Sequence, residues 1–273
     1  MFWSVKTDNP AVLTAFSPDD ADEFILAVDV LTPAALLSWT HATSLPPEKI
    51  RFALPMITRT SAGDGTRLAE KVAALRACGW RKWEISQWGQ KEILGQTPPG
   101  GKDLDVTADW PLYVLNLTAA EFLSRQGLKR FTASPEDERE NLRQLLPALA
   151  ERLQVVLYQD TPLFTGEGCP RSAGRVEQSA SCACNHQPFI LTTRRGQEYL
   201  TLSRNCRTTV VSAEPYCISG YLEELRAWGM CSARVDFCWR AYEPAAARDI
   251  FRSVKQGETI PGTHSGNYLR GLQ

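Results

Sequence analysis

The chain lacks the short signatures that identify many hydrolases and nucleotide-binding enzymes. It contains no G-x-S-x-G, which would indicate a serine nucleophile, and no H-E-x-x-H, which would indicate a zinc hydrolase. G-x-G-x-x-G and the phosphate-binding P-loop are also missing, which argues against a nucleotide-binding fold. The only histidines are His41, His186 and His264, and none stands in a recognisable pairing with a nucleophile. A pair of carboxylates brought together by the fold stays open as a hydrolytic centre.

The sequence also lacks long apolar segments and a strong excess of either charge. No window reaches the roughly 18 apolar residues of a membrane helix, and the first ten residues have no secretory pattern. We therefore expect no membrane span and a cytoplasmic protein, whose thiols stay reduced. The net charge of −1 excludes a strongly basic nucleic-acid coat, although a local basic patch could still bind RNA.

The eight cysteines are distributed unevenly, because seven of them lie at or after Cys169. In a reducing compartment such clustering favours metal ligation over disulfides. Four thiolates can hold a [4Fe–4S] cluster, and zinc is the alternative. The first four cysteines of this region are Cys169, Cys182, Cys184 and Cys206. Their spacing matches neither common pattern, so iron–sulfur, zinc with His186 as a ligand, and no metal all remain open at this point.

Several arginines lie beside these cysteines and between them and the end of the chain. Cations lower the pKa of a nearby thiol and can also hold an anionic substrate, although a solvated basic surface is an equally good interpretation. The candidate anion-binding residues are Arg204, Arg207, Arg234 and Arg270.

Strand-like and helix-like segments alternate through residues 1–160. Short apolar runs such as Phe24–Val28 and Gln154–Tyr158 predict buried strands, and helical spacing between them predicts crossover helices. We expect an α/β fold with an irregular or partial TIM-like barrel in 1–160. Residues 161–273 are expected to form a cysteine-bearing α+β segment, with a hairpin around 194–196 and a helix over Pro244–Lys255.

Two residues fall at the predicted ends of strands, where barrel enzymes build their sites. Tyr158 ends the predicted strand Gln154–Tyr158, and Asp236 lies in the predicted strand Arg234–Trp239. Both are catalytic candidates, against the alternatives of a packed tyrosine and an ion-paired aspartate.

The chain resembles peptidase family U-32, a family of collagenase-like peptidases and iron–sulfur hydroxylases, from about residue 50 onward. The stretches that carry the resemblance are ALPMITR (53–59), DWPLYVLN (109–116), SPEDERENL (134–142), VVLYQDTPLF (155–164), RVDF (234–237) and GNYLRGL (266–272). The resemblance implies an irregular barrel and a cysteine segment that binds a [4Fe–4S] cluster. Its implied ligands are Cys169, Cys182, Cys206 and Cys184. Because Cys182 and Cys184 stand closer than the family's spacing, Cys231 or Cys238 is an alternative to Cys184.

The resemblance also implies a set of functions. An oxygen-independent hydroxylase, acting on RNA with a prephenate-like oxygen donor, is the leading expectation. A collagenase-like peptidase and a non-catalytic, cluster-bearing assembly protein are the alternatives. Members of the family often carry further upstream sequence, so a missing upstream domain or a second family member is an expected partner.

Overall fold

The computed structural model describes residues 1–58, 64–95, 104–167, 187–204 and 207–271. The strands of these residues are β1 (Phe2–Thr7), β2 (Glu23–Ala27), β3 (Ile50–Ala53), β4 (Lys82–Ile85), β5 (Asp105–Ala108), β6 (Phe131–Thr132), β7 (Leu153–Gln159), β8 (Pro162–Gly166), β9 (Phe189–Thr192), β10 (Glu198–Arg204), β11 (Arg207–Ser212), β12 (Tyr216–Cys217) and β13 (Ser232–Phe237). The helices are α1 (Pro10–Leu13), α2 (Pro33–Ala42), α3 (Asp64–Ala77), α4 (Gln90–Gly95), α5 (Leu117–Arg125), α6 (Arg139–Leu149), α7 (Leu222–Ala227) and α8 (Pro244–Lys255).

Eight parallel strands close into a TIM-like barrel, which confirms the expected fold class. Strands β1 to β7 pair in chain order, β13 pairs with β7, and β1 pairs with β13 to close the ring. The helices that connect the strands pack outside, because each buries one apolar face against the sheet. In α8, for example, Ala247, Phe251 and Val254 are buried, and the Phe251 ring meets Trp3 edge-on at 6.0 Å. No helix in the described ranges is long and apolar enough to cross a membrane.

The interior of the barrel is polar and charged, whereas the layer between strands and helices is apolar. Interiors of such barrels are usually filled by branched aliphatic side chains. Here Ile25, Ala27 and Ala53 form one small apolar group in the interior. At the amino-terminal ends of the strands, Arg51 binds Glu23 and Asp105, and Arg130 also binds Glu23. A second charged layer lies nearer the carboxyl ends and is described below.

A four-stranded antiparallel sheet, with strand order β8-β11-β10-β9, is inserted between β7 and the last barrel strand. The hairpin expected around residues 194–196 is its β9–β10 turn. Arg240, just after β13, ties this sheet to the barrel by donating to the Ser212 and Ala213 carbonyls at 3.3 and 2.9 Å. The structure therefore divides the chain differently from the expected 1–160 and 161–273, because β13 belongs to the barrel.

Polar side chains shape the chain around β5 and α5. Strand β5 ends at Ala108, and Asp109 follows it as the cap of a 3₁₀ turn (Trp110–Leu112), accepting from the Trp110 amide. Helix α5 is capped by Asn116, whose side chain accepts from the Ala119 amide. Helix α6 begins at Arg139, after a turn in which the Ser134 hydroxyl accepts from the Glu136 amide.

Candidate active site at the barrel mouth

A pocket opens where the carboxyl ends of the barrel strands converge, which is where TIM-barrel enzymes place their sites. The cavity measures about 50 Å³. Side chains from seven of the eight strand ends, or from the loops that follow them, line it: Lys6, Asp8, Ala27, Asp29, Leu54, Ser86, Asp109, Trp110, Gln159, Asp160, Asp236, Cys238 and Trp239. Aspartates are its commonest residue type, so the pocket is acidic.

The floor of the pocket is a buried layer of five charged residues, which we call the upper charged layer: Lys6, Glu84, Asp109, Arg234 and Asp236. Side chains two residues apart on a strand share a face, so Arg234 and Asp236 both point into the barrel. The register places Lys6 of β1 beside Asp236. None of the five is more than 7% exposed, so their charges must be compensated by one another.

Lysine and arginine bridge the carboxylates of this layer. The Lys6 Nζ lies 2.6 Å from both Glu84 Oε1 and Asp109 Oδ2. Arg234 reaches Glu84 Oε2 at 2.9 Å, Asp109 Oδ1 at 2.8 Å, and Asp236 through its Nη2 and Nε at 2.9 and 2.8 Å. Asp109 also accepts from the Ser86 hydroxyl at 3.2 Å.

The two cations do not stabilise the ionised forms of the three carboxyl groups equally. Burial opposes the ionisation of Asp109, but Lys6 and Arg234 outweigh it and hold the pKa of Asp109 well below its usual range. Burial dominates for Asp236 and raises its pKa to about 6, although Arg234 and Lys6 act in the opposite direction. Lys6 stays protonated, because the neighbouring carboxylates overcome its burial and raise its pKa.

A second polar group joins the mouth to the inserted sheet. Tyr242 donates to Asp160 Oδ2 at 2.6 Å, and its hydroxyl lies 3.2 Å from that of Tyr158. Arg240 donates to Asp160 Oδ1 at 3.1 and 2.9 Å. Burial raises the pKa of Tyr158 to about 12, so this tyrosine stays protonated at physiological pH.

One wall of the mouth carries a strained residue. Trp239 has φ of +74°, a left-handed backbone conformation that residues other than glycine rarely adopt. Its amide donates to Asp8 Oδ2 at 2.8 Å, which holds the turn in place. Such strain is concentrated at functional sites, where the surrounding contacts impose it. The neighbouring Cys238 lies among carboxylates, and burial raises the pKa of its thiol.

The structure places some of the sequence-predicted site residues at the mouth. Asp236 lines the pocket. The Tyr158 hydroxyl lies 3.2 Å from that of Tyr242, which in turn donates to the pocket residue Asp160. Arg234 is fully buried and its charge is shared among three internal carboxylates, so it does not face a ligand directly. Arg270 is exposed near the end of the chain, and Arg207 is half-buried at the start of β11.

The predicted metal ligands Cys169, Cys182, Cys184 and Cys206 lie outside the described residues, as do His186 and the side chain of Arg204. Their alternatives lie at opposite ends of β13: Cys238 lines the mouth, whereas the Cys231 carbonyl accepts from the Phe2 amide at the other end. The intervening strand spans roughly 20 Å, so Cys231 and Cys238 do not both lie near the mouth. Among described residues, no three His, Cys, Asp or Glu side chains group as metal ligands would.

Sequence reasoning missed Lys6, Glu84 and Asp109. The local signal was weak, because Lys6 and Glu84 stand among mixed polar and apolar residues, in SVKT (4–7) and KWEI (82–85). A charge in the middle of a fully buried strand must meet an opposite charge, which for Lys6 comes from β4 and from the residue after β5.

Comparisons with known proteins add little to this geometry. No family model and no curated protein sequence matches the chain. Among solved structures, the spore cortex-lytic enzyme SleL of Bacillus megaterium is 9% identical over 96% of this chain and 75% of that chain, with a TM-score of 0.43. A fusion of a xylose isomerase-like TIM barrel with a 4-hydroxyphenylpyruvate dioxygenase is 13% identical over 96% of this chain and 45% of that chain, with a TM-score of 0.42. Matches this weak carry no inference about activity.

Proposed function

We propose that the chain is an iron–sulfur-dependent, oxygen-independent hydroxylase of the peptidase U-32 type, which acts at the barrel mouth on RNA with a prephenate-like donor. The observation that carries the proposal is the geometry of the inserted sheet, because the described residues that flank the four cysteines converge on one end of it.

Three chain segments meet at that end. Gly166, three residues before Cys169, pairs with Thr208. Arg204 and Arg207, which flank Cys206, pair with each other across the β10–β11 turn. Phe189, five residues after Cys184, pairs with Thr201. These three positions lie within roughly 10 Å along the strands and roughly 14 Å across them, distances that the chain segments between them and the cysteines are long enough to cover.

The other end of the same sheet is fixed to the mouth. Strand β8 begins at Pro162, which lines the pocket, and Arg240 binds the end of β11. A cluster held by Cys169, Cys182, Cys184 and Cys206 at the opposite end of the sheet would supply electron transfer to the mouth. The chain's own mouth residues would bind and orient the ring and move protons.

The acidic mouth disfavours phosphate groups, so we assign the anionic parts of substrate and donor to the inserted sheet. Arg194 and Arg195 are exposed at the β9–β10 turn, which lies at the end of the sheet that faces the mouth. Arg207 begins β11 at the opposite end of the same sheet, beside Cys206. Arginine binds phosphate and carboxylate through two parallel hydrogen bonds, which suits this role.

The cluster is tested by iron and acid-labile sulfide analysis, with an absorption spectrum, on protein purified without oxygen. We expect about four irons and four sulfides per chain, the content of one [4Fe–4S] cluster. Cys169→Ala and Cys206→Ala should lose them. Cys231→Ala is the matched control, because this exposed thiol lies at the far end of the barrel. Zinc in place of iron, or no metal in any preparation, would overturn the proposal.

Activity is tested next, with the cluster-loaded protein, RNA and prephenate under anaerobic conditions. The expected product is RNA with one added oxygen atom on a base, detected by mass spectrometry of its nucleosides. Loss of this product in Cys169→Ala, with the fold retained, would link the cluster to the reaction. A loaded protein that hydroxylates neither RNA nor a quinone-like ring would favour the assembly role instead.

One observation favours a peptidase as the second candidate. Asp236, with a pKa near 6, lines an acidic mouth that also contains Asp8 and Asp160, and a pair of such carboxylates can activate water. Peptide hydrolysis by iron-free protein, lost in Asp236→Asn, would support this candidate over the hydroxylase.

A further inference from the structure

Two aromatic side chains stand exposed on the β4 and β5 side of the barrel. Trp88, in the loop after β4, is 43% exposed, and Phe122 of α5 is 54% exposed. Their ring centroids lie 5.6 Å apart, with a tilt of 38° between the ring planes. The buried residues of α5 are Ala120 and Leu123, so the core does not require an aromatic ring at Phe122. We call Trp88 and Phe122 the aromatic platform.

The loop that carries Trp88 is fixed by one buried glutamine. The Gln90 side-chain oxygen accepts from the Ser86 and Gln87 amides at 2.8 and 3.2 Å. Its Nε2 donates to the Pro55 carbonyl at 2.6 Å, which joins this loop to the loop after β3. Ser86 and Pro55 both line the mouth. Trp88 therefore stands two residues, or at most roughly 7 Å of chain, from the mouth, on a loop that the protein holds in place.

A lysine joins the two halves of the platform. The Lys91 Nζ donates to the Gln126 carbonyl, at the end of α5, at 2.6 Å and lies 5.4 Å from the centre of the Trp88 ring. Beside this ring is an open cleft of about 360 Å³, lined by Trp88, Gly89, Lys91 and Glu92. A cation next to an exposed aromatic ring is the combination with which many proteins bind single-stranded nucleic acids.

We propose that the aromatic platform stacks one or two bases of single-stranded RNA, next in sequence to the base held in the mouth. The mouth measures only about 50 Å³, so the neighbouring nucleotides of a bound strand must lie outside it. A protein partner fits the platform less well. Two half-exposed aromatic side chains offer roughly 200 Å² of surface, whereas a stable protein interface needs about 800 Å² per partner. The inference rests on the proposed function, from which it takes RNA as the substrate, but not on the cluster.

The platform and the inserted sheet stand on opposite sides of the mouth. The inserted sheet joins the barrel between β7 and β13, and three strands separate β13 from β4 in either direction around the ring. An RNA strand bound at both places would cross the mouth. Its phosphates would lie on the arginines of the sheet, the flanking bases on the platform, and the reacting base between them.

The platform is tested by equilibrium binding of a short, unstructured oligouridylate to the purified full chain, followed by fluorescence anisotropy. Trp88→Ala and Phe122→Ala should each raise Kd about tenfold, equivalent to about 1.4 kcal/mol and within the range for one stacked base. Trp88→Phe should keep most of the affinity, because phenylalanine also stacks. An oligomer of the same length without bases should bind all of these proteins equally, because it keeps the phosphates and loses only the stacking.

Trp228→Ala is the matched control. Trp228 also has a cation over its ring, since Arg139 lies 5.4 Å from the ring centre, but it stands just before the amino-terminal end of β13, across the barrel from β4. Its replacement should leave Kd unchanged.

The platform is overturned if Kd for both alanine variants stays within about twofold of the parent value, or if the base-free oligomer loses as much affinity as the RNA. Self-association that is lost in Trp88→Ala, measured by analytical ultracentrifugation, would show that a second copy covers the platform and would also overturn it. A parent chain that binds no RNA would overturn RNA as the substrate, and the platform with it. A missing cluster would overturn the hydroxylase without changing this binding, so the two failures are distinguishable.

Discussion

Replacing Arg234 with methionine should destabilise the barrel severely, because this one guanidinium compensates three buried carboxylates. The side chain is fully buried and reaches Glu84, Asp109 and Asp236 at 2.8 to 2.9 Å. Methionine fills a similar volume but brings no charge, so the three carboxylates would be left with Lys6 alone. The perturbation therefore tests the electrostatics of the layer more than its packing.

The expected magnitude follows from measurements on other buried ion pairs. Removing one partner of such a pair costs about 3–5 kcal/mol, because the remaining charge stays buried without compensation. With three carboxylates affected, we expect the upper part of that range. For a chain of this size 1 kcal/mol corresponds to about 2–4 °C, so Tm should fall by about 10–20 °C.

The loss should also depend on pH. Without Arg234 the three carboxylates should have higher pKa values in the folded than in the unfolded state. Folding then takes up protons, so stability should fall as pH rises and partly recover in acid. Thermal unfolding followed by circular dichroism at about pH 5 and about pH 8 measures both quantities.

Arg270→Met is the control, since Arg270 is an exposed arginine and its replacement should change the free energy of unfolding by no more than about 0.5 kcal/mol. A loss below about 1 kcal/mol in Arg234→Met, or a loss equal at both pH values, would refute the reasoning.

Three further predictions concern the mouth. Tyr242→Phe should cost about 1–3 kcal/mol in urea unfolding, because the buried Asp160 loses its 2.6 Å hydrogen bond; an unaffected midpoint would contradict this. Trp239→Gly should be more stable than Trp239→Ala by about 1 kcal/mol, because only glycine adopts φ of +74° without strain; equal melting temperatures would contradict it. For Asp236 the folded pKa, about 6, exceeds the unfolded value, so its contribution to stability is lost as pH rises from about 4 to about 6. Asp236→Asn should flatten that part of the stability–pH curve, and an unchanged slope would argue against the raised pKa.

The barrel could be predicted from the sequence because its local signals agree with one another. Apolar runs such as that of β2 are buried on both faces of the strand, and helix α8 begins at Pro244 as its first-turn proline predicts. The first strand escaped prediction because Phe2–Thr7 mixes apolar and polar residues without a clear period. Its Ser4 and Lys6 side chains face the polar interior of the barrel.

The candidate site was only partly predictable, because it depends on barrel closure. Tyr158 and Asp236 could be proposed from their positions at strand ends. The pairing of Lys6 with Glu84 and Asp109 joins residues 78 and 103 positions apart, and no local pattern reports such a contact. Arg234 was predicted to hold an external anion, but the anions it contacts belong to the protein.

The two charged layers of the barrel give an internal comparison. In the layer at the amino-terminal ends, Arg51 and Arg130 face two carboxylates, Glu23 and Asp105, and the pKa of each carboxyl is lowered despite burial. That layer is balanced, as expected where charges serve the structure. The upper charged layer has an extra carboxylate and holds Asp236 in its less favourable ionised form above about pH 6. Replacing such a group with an apolar one is often stabilising, so the fold alone does not require it. Because the same barrel balances its charges at the closed end and leaves one in excess at the mouth, the excess is better explained by chemistry at the mouth than by stability.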